Sequence, residues 1–379
     1  MRKIVGIMPG LGFGGAETQS LLLFNGLCAR GYQIKVIILD GKRDQLADSL
    51  DKGVRLMRIK RRAFLDPWAI LQVRRIIKAE NPDLIIMVDS YPTIYGYIMN
   101  RIFRMKLKNI TILHNTIPPN LKCSLQNRML YGPAINRLGR TVFVSSRQMR
   151  YWMDMYGIKG NKSEVIHNGI NVDFFQQYSK SNRIEKCREQ LGIPLAVPVI
   201  AMNASLSPAK RHEHMLEAIE RLKAEGVELF LLIIGDGSRR AYLEELAVTR
   251  GIRHQILFTG YVRDVRPYLM CADISALTST AVETFSMAAL ESMAMGKPVI
   301  LSNIGGAPEI VDQGVNGYLY NAGNVTELMM YIKKLLKNKR CQQMGGHAME
   351  KAEKMFGCER MLDDYGRLIE EVLQQTSMI

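Results

Sequence analysis

Apolar runs of four to six residues recur along the chain, separated by longer stretches in which apolar positions return every three or four residues. Ten runs read as strands: 3–8, 35–39, 84–88, 110–113 and 141–144, then 198–202, 229–234, 255–258, 274–277 and 298–301. Runs this short, bounded by turn-forming residues, suit strands buried on both faces. Between them, "RHEHMLEAIERLKAEG" (211–226) and "RRAYLEELAVTRG" (239–251) carry a 3.6-residue period and read as amphipathic helices. Such alternation predicts βαβ units, hence an α/β protein with doubly wound parallel sheets. The polar segment "QQYSKSNRIEKCREQ" (176–190) interrupts the series, and a new strand begins after Pro198. We expect two doubly wound domains, 1–190 and 191–360, with a C-terminal helix in 361–379 packing back toward the first. Open parallel sheets bind ligands at the C-terminal ends of their strands, so two facing sheets would enclose a cleft.

Composition fits that picture without sharpening it: of 379 residues, 47% are apolar and 23% charged, as in soluble globular proteins. No apolar run approaches the length of a bilayer span, and glycines interrupt the N-terminal apolar residues at once, so a cytoplasmic chain is expected. The six cysteines are scattered, without Cys-x-x-Cys pairs or His/Cys metal spacing; reduced thiols are expected. Charge changes the picture more. Residues 1–180 hold 28 of the 51 Lys and Arg but only 12 of the 36 Asp and Glu, so the whole net charge of +15 is N-terminal. It is carried by "MRIKRRAF" (57–64) with Trp68 close behind, "VRRIIK" (73–78), "NRIFRMKLK" (100–108) and "SSRQMRYWM" (145–153). Apolar residues interleaved with cations suit an anionic membrane surface, while a solvated face that aids solubility accounts for the same composition. No helix-turn-helix, zinc-finger or RNA-binding motif accompanies the charge, so nucleic acid is not the expected partner.

Two stretches offer chemistry. "PGLGFGGAET" (9–18) joins an apolar run to a helix-like segment and, with Gly10, Gly12, Gly14 and Gly15, fits G-x-G-x-x-G. In a dinucleotide site such glycines bring a pyrophosphate to a helix N-terminus, and an acid roughly 20 residues on binds the ribose; Asp40 lies further away than that. On this stretch alone, a tight strand-to-helix turn without ligand is the better reading. In "STAVETFSMAALESMAMGKPVI" (279–300), Glu283 and Glu291 are separated by seven residues. With a helix whose first turn is "TFSMA", N–H groups of Phe285, Ser286 and Met287 would point at an anion flanked by the two carboxylates. A sugar joined to a nucleoside by a diphosphate presents that order of groups. An acid complementing the helix dipole and an unrelated surface glutamate are the alternative.

The E-x₇-E pattern followed by "SMAMGKPVI" and "GGAPEIVDQGVNGYL" resembles family 4 of the retaining glycosyltransferases, whose GT-B fold has two Rossmann-like domains. The match continues through "GGAE" (14–17), "LHN" (113–115), "VSS" (144–146), "VIHNGIN" (165–171), "SPAKRH" (207–212), "IIGDG" (233–237) and "FTGYVRDV" (258–265). The resemblance implies that Glu291 accepts hydrogen bonds from the donor ribose and that Glu283 contacts the transferred sugar near the diphosphate. It implies that Lys210 neutralises the leaving diphosphate, Gly15 beside Gly14 closes against the diphosphate or sugar, and His114 lies beside the donor sugar. Tyr261 and Val262 fall where the family holds the nucleobase; Gly235, Thr284, Phe285, Ser286 and Met287 fall within donor-binding motifs. One departure is Ser205, where the family commonly has an arginine five residues before the lysine; Arg211 is the candidate replacement. Thr284 and Ser286 stand where glycines are usual.

Other polar residues read more plainly. Asp89, after the run ending at Val88, is a turn-forming acid or an aid to the acceptor. His167 and Asn168 shape a turn before Gly169, and His212 and His214, two apart on a helix, make a poor metal site. The expected activity is retaining transfer of a sugar from a UDP- or GDP-sugar, without a metal cofactor, to a lipid-linked saccharide of a bacterial surface polysaccharide. The protein would be peripheral on the inner face of the plasma membrane. A nucleotide-sugar epimerase of the same fold, an NAD-dependent dehydrogenase and a non-enzymatic nucleic-acid binder are the alternatives.

Overall fold

The computed structural model describes residues 1–374 except Arg43, Ile117, Pro119, Val282, Asn338 and Lys339. They form two compact units, one of Met1–Gly169 with the segment from Cys358, the other of Ile170–Gly357. From the sequence, the corresponding divisions are expected at 190 and 360.

The first unit is built on a seven-stranded parallel sheet of β1 (Lys3–Met8), β2 (Gln33–Ile38), β3 (Arg55–Arg58), β4 (Leu84–Val88), β5 (Asn109–Leu113), β6 (Arg140–Phe143) and β7 (Ser163–Val165), in the order β3-β2-β1-β4-β5-β6-β7. Both faces are buried, so successive strand residues serve different cores. Ile4, Val36 and Ile86 pack with Phe24 of helix Gly15–Ala29 and Leu368 of helix Cys358–Gln374. Val5, Ile37 and Ile85 pack with Val73 of helix Pro67–Glu80 and Trp152 of helix Ser146–Tyr156. The C-terminal helix belongs to this unit. Its Leu362 lies against Gly26, and its Glu359 and Asp363 each pair with Arg30 at 2.7 Å.

The second unit has a six-stranded parallel sheet of β8 (Val199–Asn203), β9 (Phe230–Ile234), β10 (Ile256–Phe258), β11 (Ile274–Leu277), β12 (Val299–Ser302) and β13 (Gly317–Tyr320), ordered β10-β9-β8-β11-β12-β13. Its first helices, Val172–Ser181 and Ile184–Gln190, contain most of the polar segment 176–190 that interrupts the series of apolar runs. Its polarity is partly internal. Arg188 is buried, donating from Nε to the Cys271 carbonyl (3.0 Å) and pairing with Asp273 (2.8 Å).

All ten strands read from the apolar runs are present, with ends shifted by two residues at most. β3, β7 and β13 were not read. All three are outer strands of three or four residues, bonded along one edge only, and the half-exposed sequences of β3 and β7 contain no apolar run.

Leu368 is fully buried in the first unit's core. Leu368→Ala is expected to cost about 2–5 kcal/mol, read as a lower midpoint in denaturant unfolding.

Candidate active site

Each sheet reverses its strand order once, and the chains leaving the two central strands diverge there, opening a crevice at their C-terminal ends. In the second unit the reversal lies between β8 and β11. Lys210 follows β8 and Glu283 follows β11, and their side chains meet with Nζ 2.5 Å from Oε2. Ser279 Oγ donates to the same carboxylate oxygen (3.0 Å). The two loops are tied along their backbones: Thr278 Oγ1 lies 2.9 and 2.8 Å from the Lys210 and Arg211 carbonyls, and the Thr280 N–H donates to the Ala209 carbonyl (3.2 Å). The loop after β12 supports them. A Cβ on Gly305, whose φ is +50°, would fall 1.4 Å from the Glu283 carbonyl oxygen, and the Gly306 N–H donates to the Thr284 carbonyl (2.8 Å). Only glycine admits that approach.

The helix beyond Glu283 runs Met287–Ala294, beginning three residues later than the sequence analysis expected. Ser286 is its N-cap, and its hydroxyl accepts from the Ala289 N–H (3.3 Å). This local bond holds Ser286 in extended backbone, so Phe285 and Ser286 precede the helix rather than forming its first turn. Glu291 lies one turn in and accepts from Asn203 Nδ2 (2.8 Å), at the end of β8. Burial pushes the Glu291 carboxyl up to about 7, against the Asn203 hydrogen bond, which favours the charged form. Glu283, Lys210 and Glu291 therefore converge on the β8 and β11 ends.

The remaining candidates in this unit line the same edge. Gly235, after β9, has φ +135° and donates its N–H to the Gly260 carbonyl (3.1 Å); a Cβ there would meet the Ala204 carbonyl oxygen at 2.3 Å. Tyr261, after β10, is 52% exposed and Val262 half-buried. Ser205 is exposed, its hydroxyl 3.4 Å from that of Ser207. Arg211, also exposed, donates from Nε to Thr280 Oγ1 (3.3 Å), six residues from Ser205. His212 is buried, and burial together with Lys210 and Arg239 lowers its imidazole to about 4, so it is neutral near pH 7. Among the described residues, no cluster of three or more His, Cys, Asp and Glu could hold a metal ion.

In the first unit the reversal lies between β1 and β4. The glycine turn after β1 runs directly into the helix, which starts at Gly15, and the Gly14 carbonyl accepts from the Thr18 N–H (3.0 Å). Gly14 and Gly15 are exposed. Asp89, after β4, has φ +66°, ψ +169°, a conformation costly for a residue with a Cβ, and its Oδ1 accepts from the His114 N–H (2.9 Å). The acid thus fixes the chain at His114. Burial lowers the His114 imidazole below its usual range, with Asp89 pulling the other way. A small hollow beside it is lined by Gln19, Ser20, Asn168 and Tyr365. Gln19 clamps Gly169 by two hydrogen bonds of 2.7 and 2.9 Å, so the 167–169 turn is held structurally.

Asn203, Ser279 and Gly305 were missed as site residues. Asn203 had a readable signal, a polar residue closing an apolar strand; the other two are revealed only by what folds against them.

The family model of glycosyl transferases group 1 matches residues 183–353, and that of glycosyltransferase family 4 matches residues 13–174. The N-acetyl-alpha-D-glucosaminyl L-malate synthase of Bacillus anthracis is 26% identical over 308 residues, 80% of this chain and 78% of that protein. A lipopolysaccharide core biosynthesis glycosyltransferase of Rhizobium meliloti is 28% identical over 183 residues, 48% of this chain and 52% of that one. Among solved structures, Anabaena HepE in complex with UDP-glucose superimposes with a TM-score of 0.84 at 22% identity, covering 98% of this chain and 100% of that one. With a matching family model over most of each unit and two doubly wound sheets of this topology, the chain belongs to the group 1, family 4 glycosyltransferases and has their GT-B fold.

Proposed function

We propose that this glycosyltransferase moves a sugar from a UDP- or GDP-sugar to an acceptor hydroxyl with retention of anomeric configuration, and that the acceptor is a lipid-linked saccharide of a bacterial surface polysaccharide. The observation that carries the donor assignment is the Lys210–Glu283 pair at the β8/β11 reversal, with Glu291 on the adjoining helix. Relatives point the same way: HepE was solved with UDP-glucose, and the Rhizobium protein is named for lipopolysaccharide core synthesis.

As the bond to the anomeric carbon lengthens, negative charge grows on the departing diphosphate. Lys210 exchanges Glu283 for that oxygen, a task suited to a point charge on a flexible stem. Glu283, freed of its partner, accepts from hydroxyls of the sugar. Glu291 accepts from the ribose, and the backbone around Tyr261 and Val262 holds the base. The Ser286-capped helix start adds the positive end of its dipole, while Ser205, Arg211 and Gly235 border the phosphate path. In the first unit, His114 is kept neutral by burial and can exchange hydrogen bonds without adding charge, and the exposed Gly14 and Gly15 leave their backbone open to a ligand. Lys210 takes the role a metal would otherwise fill.

A thermal-shift panel of nucleoside diphosphates and nucleotide sugars tests the donor; at 100 times its dissociation constant the right one stabilises by about 2.7 kcal/mol. Anomeric coupling constants of the product by NMR test retention. Lys210→Met is expected to lower kcat roughly 10²- to 10³-fold with a smaller change in donor KM, measured by release of nucleoside diphosphate. With its carboxyl near 7, Glu291 is largely protonated at pH 6 and ionised at pH 8. Donor binding that needs the ionised form tightens by about tenfold over that interval, and Glu291→Gln removes this component of the pH dependence in calorimetric titrations. Transfer is expected to survive EDTA, and loss of turnover restored by a divalent cation would sink the metal-free assignment.

A further inference from the structure

We infer that the first unit carries a membrane-inserting face, formed by the start of helix Pro67–Glu80 and the outer side of the helical stretch Leu121–Asn136, that seats on an anionic lipid bilayer. The inference deepens the lipid-linked acceptor proposed above and rests on that reading for its purpose, though not for its evidence.

Large apolar side chains face solvent on both elements. Trp68 is 67% exposed, with Leu65 and Leu71 flanking it, and Leu121 (86%), Leu125 (59%) and Met129 (70%) recur four residues apart. Spacing of i, i+4 and i+8 sets side chains along one flank of a helix. Midway the coil widens to a π-helix over Asn127–Tyr131, which turns Tyr131 into the core while Met129 stays outside. The two elements are joined through Phe64, whose ring lies 6.4 Å from that of Tyr131 and 5.4 Å from that of Tyr91. Singly exposed apolar residues are ordinary; a set of six on two elements of one unit, linked through the Phe64 loop, is not.

Charge selects the occupant. Residues 57–130 contain 13 Lys and Arg and four acids, Asp66, Glu80, Asp83 and Asp89. Every one of these acids has a partner inside the unit. Asp66 caps its helix through the Trp68 N–H (2.9 Å), Glu80 pairs with Lys35, Asp83 accepts from the Lys3 N–H (2.7 Å) and Asp89 from the His114 N–H. The exposed cations beside the apolar residues, Arg62, Arg75, Lys122 and Arg128 among them, are left to face an external anion. An exposed tryptophan in the same unit as other exposed apolar side chains and exposed cations matches the interfacial layer of a bilayer, where amphipathic rings lie at head-group depth. Stretch 60–66 also starts from the C-terminal end of β3, the edge of the sheet that carries Gly14 and His114, so a lipid carrier held in the bilayer presents its saccharide toward that edge.

The test uses the protein's own fluorescence, since Trp68 and the buried Trp152 are its two tryptophans. Vesicles containing phosphatidylglycerol at low salt are expected to shift the emission to the blue and to protect it from aqueous iodide, and pure phosphatidylcholine vesicles are expected to do neither. Trp68→Phe should abolish the spectral change while the protein still sediments with anionic vesicles. Leu121→Asp/Leu125→Asp and, separately, Lys122→Glu/Arg128→Glu should each lower partitioning at least tenfold with the thermal shift given by UDP or GDP unchanged. Sedimentation without a Trp68 shift, equal binding to neutral vesicles, indifference to both double substitutions, or burial of Trp68 by self-association in lipid-free buffer would each overturn the inference. Nucleotide binding on the same preparations reports on the donor site independently, so either reading can fail alone.

Discussion

The pairing of Lys210 with Glu283 is the interaction around which the second unit is arranged. It exists because β8 and β11 are neighbours in space but not in sequence: the loops leaving their C-terminal ends diverge, and each contributes one charge to the gap. Holding two opposite charges half-buried at 2.5 Å needs rigid support on both sides. Thr278 holds the Lys210 backbone, Ser279 the Glu283 carboxylate, and the glycine at 305 lets the β12 loop press directly on the Glu283 carbonyl. An ion pair of this kind is a store of ready charge. A substrate that offers an anion to the lysine and hydroxyls to the glutamate replaces each partner with another, so neither charge is left unpaired during binding.

The neighbouring groups are tuned in the opposite sense, toward neutrality. Glu291, in the helix behind the pair, is raised to about 7 by burial, with a single hydrogen bond from Asn203 opposing. His212 and His114 are both lowered by desolvation. Near neutral pH both histidines are thus neutral and Glu291 is near its midpoint. In a region of low effective dielectric that arrangement concentrates the field on the place where charge would develop.

The two units divide the electrostatic labour. Residues 1–180 carry the entire positive excess, and the acids between 57 and 130 are consumed by internal partners. The remaining cations surround apolar side chains that the core of the first unit does not use. The second unit, near neutral in net charge, places the opposed charges of Lys210 and Glu283 at its strand ends instead.

The sequence alone determined what depends on short-range pattern. Apolar runs located the strands of both sheets other than β3, β7 and β13, because strands buried on both faces are continuously apolar, and the order of motifs from Gly14 to Tyr318 identified the family. Composition located the basic half. Strands β3 and β7, bonded on one edge and half-exposed, left no such pattern, and the polar helices 172–190 hid a buried arginine whose partners lie some 85 residues away. Resemblance marked Glu283, Glu291 and Lys210, but only the fold put the first and third in contact and gave the second its Asn203 partner. The helix start shifted from Thr284 to Met287 because a Ser286 hydroxyl bond, local in space and invisible in the apolar pattern, set the cap. Contacts between loops distant in sequence depend on which strands lie side by side, and strand order is decided by the packed sheet as a whole.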